Sequence, residues 1–312
     1  MRVAVLGAGP SGSAMAALMA WRGHDVTLWS PRGGGTRHLG HELMTRGVLA
    51  GAWRIRVAAD LWRAAEVAEA ILIALPPAAQ PSILQRLASA LVGTPDILFA
   101  PAGGLAPALL HQFATARGFV PRLGALAVPP ALAARGADGV VEVMALRPRL
   151  WVGGLPPGAT HDLVTLTERL FGLPAVPIGD ILAAGLAEPG ALVEAARILA
   201  PPGVAHAVGR LLLGLAAERD AVGKAMGRHD LPGIAALVSE QGGLPAERRP
   251  LAETGGGLAF LEAMARASRT PVPLVSSALQ VLETAAGESF SPHPVLAALE
   301  PAPLARLLGA AG

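Results

Sequence analysis

The 312-residue chain contains no cysteine and no tyrosine, and only one of its 25 basic residues is a lysine, Lys224. Without cysteine, the protein has no disulfide, no thiolate metal site and no cysteine nucleophile. With a single lysine, a Schiff-base mechanism at any other position is excluded. Charged residues are also scarce, at 15%, whereas hydrophobic residues make up 52%. This composition argues against disorder and favours large buried surfaces.

The sequence also lacks the features of nucleic-acid-binding, secreted and membrane proteins. The formal net charge is +2, and no basic stripe is interleaved with aromatic residues, so we expect no nucleic-acid partner. No charged and then apolar leader precedes the first strand, and no apolar run reaches the about 18 to 20 residues that span a bilayer. We therefore expect a cytoplasmic protein without a membrane partner. No cluster of His, Asp and Glu has metal-ligand spacing, so we expect no metal.

Apolar runs alternate with helical patterns in the first part of the chain. We expect strands at 2–7, 24–29, 70–76, 96–103, 123–129, 139–146 and 149–156, and helices at about 80–92 and 105–117. This alternation predicts an α/β fold with a Rossmann-type, mostly parallel, doubly wound sheet that includes all these strands. After about residue 178, Ala, Leu, Glu and Arg recur with helical periodicity, and 245–257 reads as a Pro/Gly-rich loop. We expect an N-terminal Rossmann domain at 1–178 and an all-helical C-terminal domain at 179–312.

The segment from Gly7 to Gly12, GAGPSG, fits the pattern G-x-G-x-x-G and lies between a predicted strand and a predicted helix. In this context Gly7 makes the tight turn, Gly9 lets the backbone approach a pyrophosphate, and Gly12 allows close helix–strand packing. The pyrophosphate lies at the helix N-terminus, beside Pro10 and Ser11, where free N–H groups and the helix dipole favour an anion. The alternative is a glycine-rich turn that binds nothing.

The end of the second strand distinguishes NAD from NADP. NAD-selective domains carry Asp or Glu there, which accepts a hydrogen bond from the ribose 2′-OH. This chain has Ser30 and Arg32 instead, and both side chains can donate to a 2′-phosphate. The sequence therefore predicts NADP(H) in preference to NAD(H). The alternative is that Arg32 is a solvated loop arginine.

The C-terminal helices resemble those of the octopine/nopaline (opine) dehydrogenase family. The resemblance is carried mainly by AERDAVGKAMG and GGGLAFLEAMARASRTPVPL, and it extends over nearly the whole chain, which is shorter than typical members. It implies an enzyme that condenses an amino acid with a 2-oxo acid and reduces the resulting imine with NAD(P)H. Related two-domain reductases, including ketopantoate reductases, rely on a lysine at the start of the helical domain. Lys224 lies well beyond that point, so the sequence favours the opine type.

The sequence departs from the family pattern where the chemistry is expected. The family's catalytic His, its orienting Asp and a nearby Asn correspond by resemblance to Glu194, Glu253 and Glu188, and the family's conserved Tyr is absent. In one interpretation Glu194 and Glu253 transfer protons, because two close carboxylates raise one of their pKa values. In a second, the carboxylates bind a cationic substrate amine. In a third, the chain binds NADP(H) without opine activity, as a sensor or pseudoenzyme. Reduction of a preformed imine or a carbonyl is a further alternative.

Two more residues are candidates for the site. His206, near a predicted helix start, can replace the missing imidazole, or it is a capping histidine. Arg135, in the predicted loop between two late strands, can clamp a substrate carboxylate, or it is a surface arginine. The other histidines are assigned no role. We expect the pocket for these small-molecule substrates between the domains, with Leu75 and Pro76 on its nicotinamide side, and a homodimer formed through the helical domain.

Overall fold

The computed structural model describes residues 1–136, 138–204, 206–239 and 249–301. The strands are β1 (Arg2–Leu6), β2 (Asp25–Trp29), β3 (Glu42–Gly47), β4 (Gly51–Arg54), β5 (Arg56–Val57), β6 (Ala70–Ile73), β7 (Asp96–Phe99), β8 (Leu123–Leu126), β9 (Ala131–Arg135), β10 (Val141–Leu146), β11 (Leu150–Leu155) and β12 (Ala175–Asp180). The helices are α1 (Pro10–Trp21), α2 (Leu61–Ala65), α3 (Gln80–Ala90), α4 (Ala106–Thr115), α5 (Thr160–Phe171), α6 (Ile181–Ala187), α7 (Gly190–Leu199), α8 (Ala207–Ala225), α9 (Ile234–Ser239), α10 (Leu251–Ala267), α11 (Pro273–Ala286) and α12 (Pro294–Ala298).

The main sheet has eight strands in the order β12-β11-β8-β7-β6-β1-β2-β5. Six neighbouring strands are parallel to one another: β8, β7, β6, β1, β2 and β5. At the other end of the sheet, β11 is antiparallel to β8, and β12 is parallel to β11. β6 is buried along its whole length, as expected for an apolar strand covered by helices on both faces. The predicted fold class, a Rossmann-type sheet followed by a helical part, is confirmed.

A second sheet contains four strands in the order β4-β3-β10-β9, and it packs on α1. The prediction that residues 139–146 extend the main sheet is therefore wrong, because β10 pairs with β9 and β3 instead. β3, β4 and β9 were not predicted, since β3 and β4 mix polar and apolar residues without an apolar run, and the apolar part of β9 is a short, alanine-rich stretch.

The helical half begins directly after the last described strand. Asp180 caps α6 by accepting a hydrogen bond from the Ala183 amide at 2.9 Å. A continuous hydrophobic core joins the sheet to these helices, with members such as Ile73 and Leu258. The division at residue 178 stays a prediction. No helix within the described ranges is long and apolar enough to cross a membrane.

The predicted loop at 245–257 is wrong over its second part. α10 begins at Leu251, so the three consecutive glycines from Gly255 lie inside a helix, and residues 245–248 lie outside the described ranges. A Cβ at Gly257 would lie 2.4 Å from the Cβ of Ala191. The glycine therefore permits close packing of α10 on α7, which outweighs its low helix propensity.

Candidate active site

A cleft of about 430 Å³ lies between the carboxyl ends of the main-sheet strands and the helical half. One side is formed by the glycine-rich loop and by the segments that follow β6, β7 and β8. The other side is formed by residues from the α6–α7 junction, α8, the start of α10 and the segment before α12. Such a crevice, at the carboxyl ends of strands in an open α/β sheet, is where these folds bind ligands.

The glycine-rich loop has the backbone shape that its motif predicts. Gly7 has a φ of +123°, and a Cβ there would lie 2.2 Å from the Ala74 carbonyl oxygen. A Cβ at Gly12 would lie 2.0 Å from the Gly7 carbonyl oxygen, whereas a Cβ at Gly9 would meet nothing within 4 Å. α1 begins at Pro10 without a side-chain cap, so its N-terminus is available to an anion. These features fit a dinucleotide pyrophosphate, although binding itself stays a prediction.

The segment after β2 lies beside the glycine-rich loop. A Cβ at Gly35 would lie 2.5 Å from the Ala8 carbonyl oxygen, so the two backbones are in close contact. Ser30 is partly buried and Arg32 is exposed. In the part of the chain that the structure describes, no acidic residue forms an ion pair with Arg32. A hydroxyl and a cation at this position are compatible with a 2′-phosphate.

Glu188, Arg249 and Glu253 form an ionic group on the helical side of the cleft. Glu188 directly follows α6 as its C-cap residue, and its Oε1 lies 3.0 Å from Arg249 Nη2. Glu253 lies in the first turn of α10. Burial raises the pKa of Glu253, the Arg249 charge opposes this rise, and the Glu188 charge adds to it. Glu188 is therefore ion-paired, while Glu253 holds its proton to higher pH. Two carboxylates in such different surroundings suit acid–base chemistry.

Glu194 is not among the residues that line the cleft. It is buried on α7, and its Oε2 lies 3.5 Å from Arg197 Nη1, one turn along the same helix. α6 and α7 are separate helices, so Glu188 points into the cleft although Glu194 does not. The carboxylate that accompanies Glu253 in the cleft is Glu188, and this placement does not favour proton transfer by Glu194.

His206 and Arg135 also lie outside the lining. His206 is exposed at the N-cap of α8, where its side chain makes no capping hydrogen bond. Arg135 is the last residue of β9 and not a loop residue, and it donates to the carbonyl oxygens of Ala8 and Gly139, both at 2.9 Å. The hydrogen bond to Ala8 therefore links the Arg135 side chain to the glycine-rich loop in this structure. Their predicted catalytic and substrate roles stay untested.

Several titratable residues that received no role from the sequence line the cleft, among them His293 and Arg219. His293 precedes α12, is 2% exposed, and packs edge-on against Phe260 with ring centroids 5.8 Å apart. Burial lowers the pKa of His293 to about 4, so its imidazole is neutral at physiological pH. Arg219, on α8, is 1% exposed. For Arg219, the available signal in the sequence was its position inside the segment AERDAVGKAMG. For His293, the only local feature was the proline on each side of it.

Comparisons with known proteins agree with this architecture. Residues 2–111 match the family model for the N-terminus of NAD-dependent glycerol-3-phosphate dehydrogenase, and no curated protein matches the chain. The fold is shared with octopine dehydrogenase solved with NADH and L-arginine, at 16% identity and a TM-score of 0.72 over 92% of this chain and 90% of that chain. Yersinopine dehydrogenase with NADP+ bound is similar at 15% identity and a TM-score of 0.69, over 100% of this chain and 99% of that chain.

A third similar structure is the 2-dehydropantoate 2-reductase of Geobacter metallireducens GS-15, at 19% identity and a TM-score of 0.70 over 91% of this chain and 100% of that chain. The likeness to opine dehydrogenases predicted from the sequence is thus confirmed at the level of the fold. The chain thus shares its fold with octopine and yersinopine dehydrogenases and with 2-dehydropantoate 2-reductase, and its N-terminal part matches an NAD-dependent dehydrogenase family model.

Proposed function

We propose that the protein is an NADPH-dependent oxidoreductase of opine dehydrogenase type, which reduces the imine formed from an amino acid or another amine and a 2-oxo acid. The observation that carries this proposal is the presence of Glu188 and Glu253 in the same cleft as the glycine-rich loop. Glu188 is paired with Arg249, so Glu253 is the carboxyl group that can give up a proton and then, as a carboxylate, attract a cationic nitrogen such as an iminium group.

The residues that would hold the dinucleotide are Gly9, Pro10, Ser11 and Gly12 at the pyrophosphate, Ser30 and Arg32 at the 2′-phosphate, and Leu75 and Pro76 at the nicotinamide side, with Gly7 forming the turn beneath. When bound, the reduced cofactor supplies a hydride. The NADP+ complex of yersinopine dehydrogenase and the NADH complex of octopine dehydrogenase show that this fold accepts either cofactor. Arg32 is our reason for preferring NADPH.

The proton chemistry is assigned to Glu253. Imine formation requires the loss of a hydroxyl group from a carbinolamine, and a carboxylic acid with a raised pKa can protonate that leaving oxygen. The resulting carboxylate then stabilises the cationic iminium. Hydride addition to an iminium carbon yields a neutral amine, so the reduction itself needs no second acid.

Reduction of a preformed imine or a carbonyl is the second candidate function. The fold shared with 2-dehydropantoate 2-reductase favours it. In a carbonyl reduction, Glu253 would protonate the oxygen as the hydride reaches the carbon.

The proposal is tested by following NADPH oxidation with pooled amino acids and pooled 2-oxo acids, and omitting each pool in turn. Oxidation that requires both pools supports reductive condensation. Oxidation with the 2-oxo acid pool alone supports a carbonyl reductase and contradicts the proposal. Tight NADPH binding without turnover under any condition points to a sensor or pseudoenzyme.

A further inference from the structure

Arg219 is a buried cation in the wall of the cleft. Its side chain is 1% exposed, and it is one of the lining residues that α8 contributes. Nε donates to Asp220 Oδ1 at 2.9 Å, and Nη2 donates to the same oxygen and to the Pro232 carbonyl oxygen at 3.1 Å. Nη1 is buried and has no hydrogen-bond partner among the described residues. Buried polar groups are nearly always satisfied, so this donor calls for an acceptor.

Arg249, another arginine in the lining of the cleft, does not have this problem. Arg249 is ion-paired with Glu188 at 3.0 Å, so its charge is compensated inside the cleft. Among the described residues, the positive charge of Arg219 is compensated only at Nε and Nη2, by Asp220, whose side chain is 42% exposed. The two N–H groups of Nη1 therefore remain available on a desolvated guanidinium, where an anionic acceptor is bound most strongly.

We infer that Arg219 binds a carboxylate group of the substrate, an inference that rests on the proposed function. The cleft then has one site for a cationic nitrogen and a separate site for a carboxylate. Glu253, once deprotonated, stabilises the cationic nitrogen, and Arg219 holds the carboxylate of the 2-oxo acid. The pyrophosphate of the cofactor does not fill this role, because its predicted place is the glycine-rich loop on the opposite side of the cleft. The ligand class is a small carboxylic acid, bound through charge-assisted hydrogen bonds.

The test is calorimetric titration of the NADP+ complex with pyruvate and with its neutral amide, pyruvamide. The oxidised cofactor prevents turnover, so only binding is measured. We expect the wild-type protein to prefer pyruvate, and Arg219→Gln to weaken pyruvate binding by about 10- to 100-fold without changing pyruvamide binding. The matched control is Lys224→Gln, which removes a positive charge from an exposed position of the same helix and should leave both affinities unchanged.

Because Arg219 is buried, the NADP+ affinity of each variant serves as the check of folding. Arg219→Lys keeps the charge, and we expect it to recover part of the pyruvate affinity, which a purely structural role would not produce. The inference is overturned if the wild-type protein binds pyruvate no more tightly than pyruvamide, if Arg219→Gln binds pyruvate like the wild type, or if Arg219→Lys binds pyruvate no better than Arg219→Gln.

The two proposals fail in different ways. If the pooled assay shows no condensation but pyruvate binding depends on Arg219, the carboxylate site stands and the reaction is a different one. If condensation proceeds in Arg219→Gln with an unchanged KM for the 2-oxo acid, the proposed function stands and the carboxylate site is wrong.

Discussion

At the residue scale, the reactivity of Glu253 is set by its surroundings. Burial raises its pKa, so a rate that depends on its protonated form falls as the pH rises through that pKa. We expect Glu253→Gln to lower turnover by about 100- to 1,000-fold, within the range of general acid catalysis. The descending limb of the pH–rate profile should disappear as well, and NADPH affinity should not change.

The control for this variant is Glu262→Gln on the same helix. Glu262 pairs with Arg266 and does not line the cleft, so its substitution should leave the pH–rate profile intact. A Glu253→Gln protein with the wild-type rate and the wild-type profile would remove Glu253 from the mechanism.

At the element scale, we propose that the segment after β2 selects between NADPH and NADH. Arg32 is exposed beside the glycine-rich loop, so its guanidinium can reach a 2′-phosphate without disturbing the fold. We expect Arg32→Gln to weaken NADPH binding by about 10-fold, equivalent to about 1.4 kcal/mol, and to leave NADH binding unchanged. Fluorescence titration with both cofactors measures this difference, with Arg86→Gln, at an exposed position of α3, as the control. Equal weakening of both cofactors would contradict the NADP assignment.

The elements also show how far the sequence predicts this fold. Strands such as β1 and β6 were predictable because each is a compact apolar run, and the glycine pattern marked the start of α1. The second sheet was not, because β3 carries a weak local signal, and because β10, although predicted as a strand, pairs with β3 across almost a hundred residues. The cleft itself was only partly predictable. Its ionic and polar residues come from separate helices, so their meeting depends on tertiary packing, and no spacing rule connects Glu188 with His293.

At the scale of the whole molecule, the buried His293 makes stability depend on pH. Its pKa is about 4 in the folded protein and about 6.5 in an unfolded chain. As the pH falls below 6.5, the unfolded chain binds a proton that the folded protein does not, so stability decreases towards pH 4, by about 3 kcal/mol from this group. Above pH 6.5 the group contributes no pH dependence.

Urea unfolding at several pH values between 4 and 7 measures this effect. We expect His293→Gln to lose part of the wild-type decrease in the free energy of unfolding over that window, and His229→Gln, at an exposed position, to retain it. Equal slopes for the wild type and His293→Gln would show that His293 titrates normally.

The homodimer remains a proposal at this scale. Leu213 on α8 and Val281 on α11 are 61% and 50% exposed, and they lie on two helices of the half that is expected to form the interface. Burial of such residues is a common feature of subunit contacts.

Reductive condensation is tested most directly by the mass of the product made with NADPH deuterated at the hydride position. We expect a secondary amine whose mass equals that of the amine plus the 2-oxo acid, minus water, plus one hydrogen and one deuterium. Deuterium found only in a hydroxy acid would show that the protein reduces a carbonyl and would contradict the proposed reductive condensation.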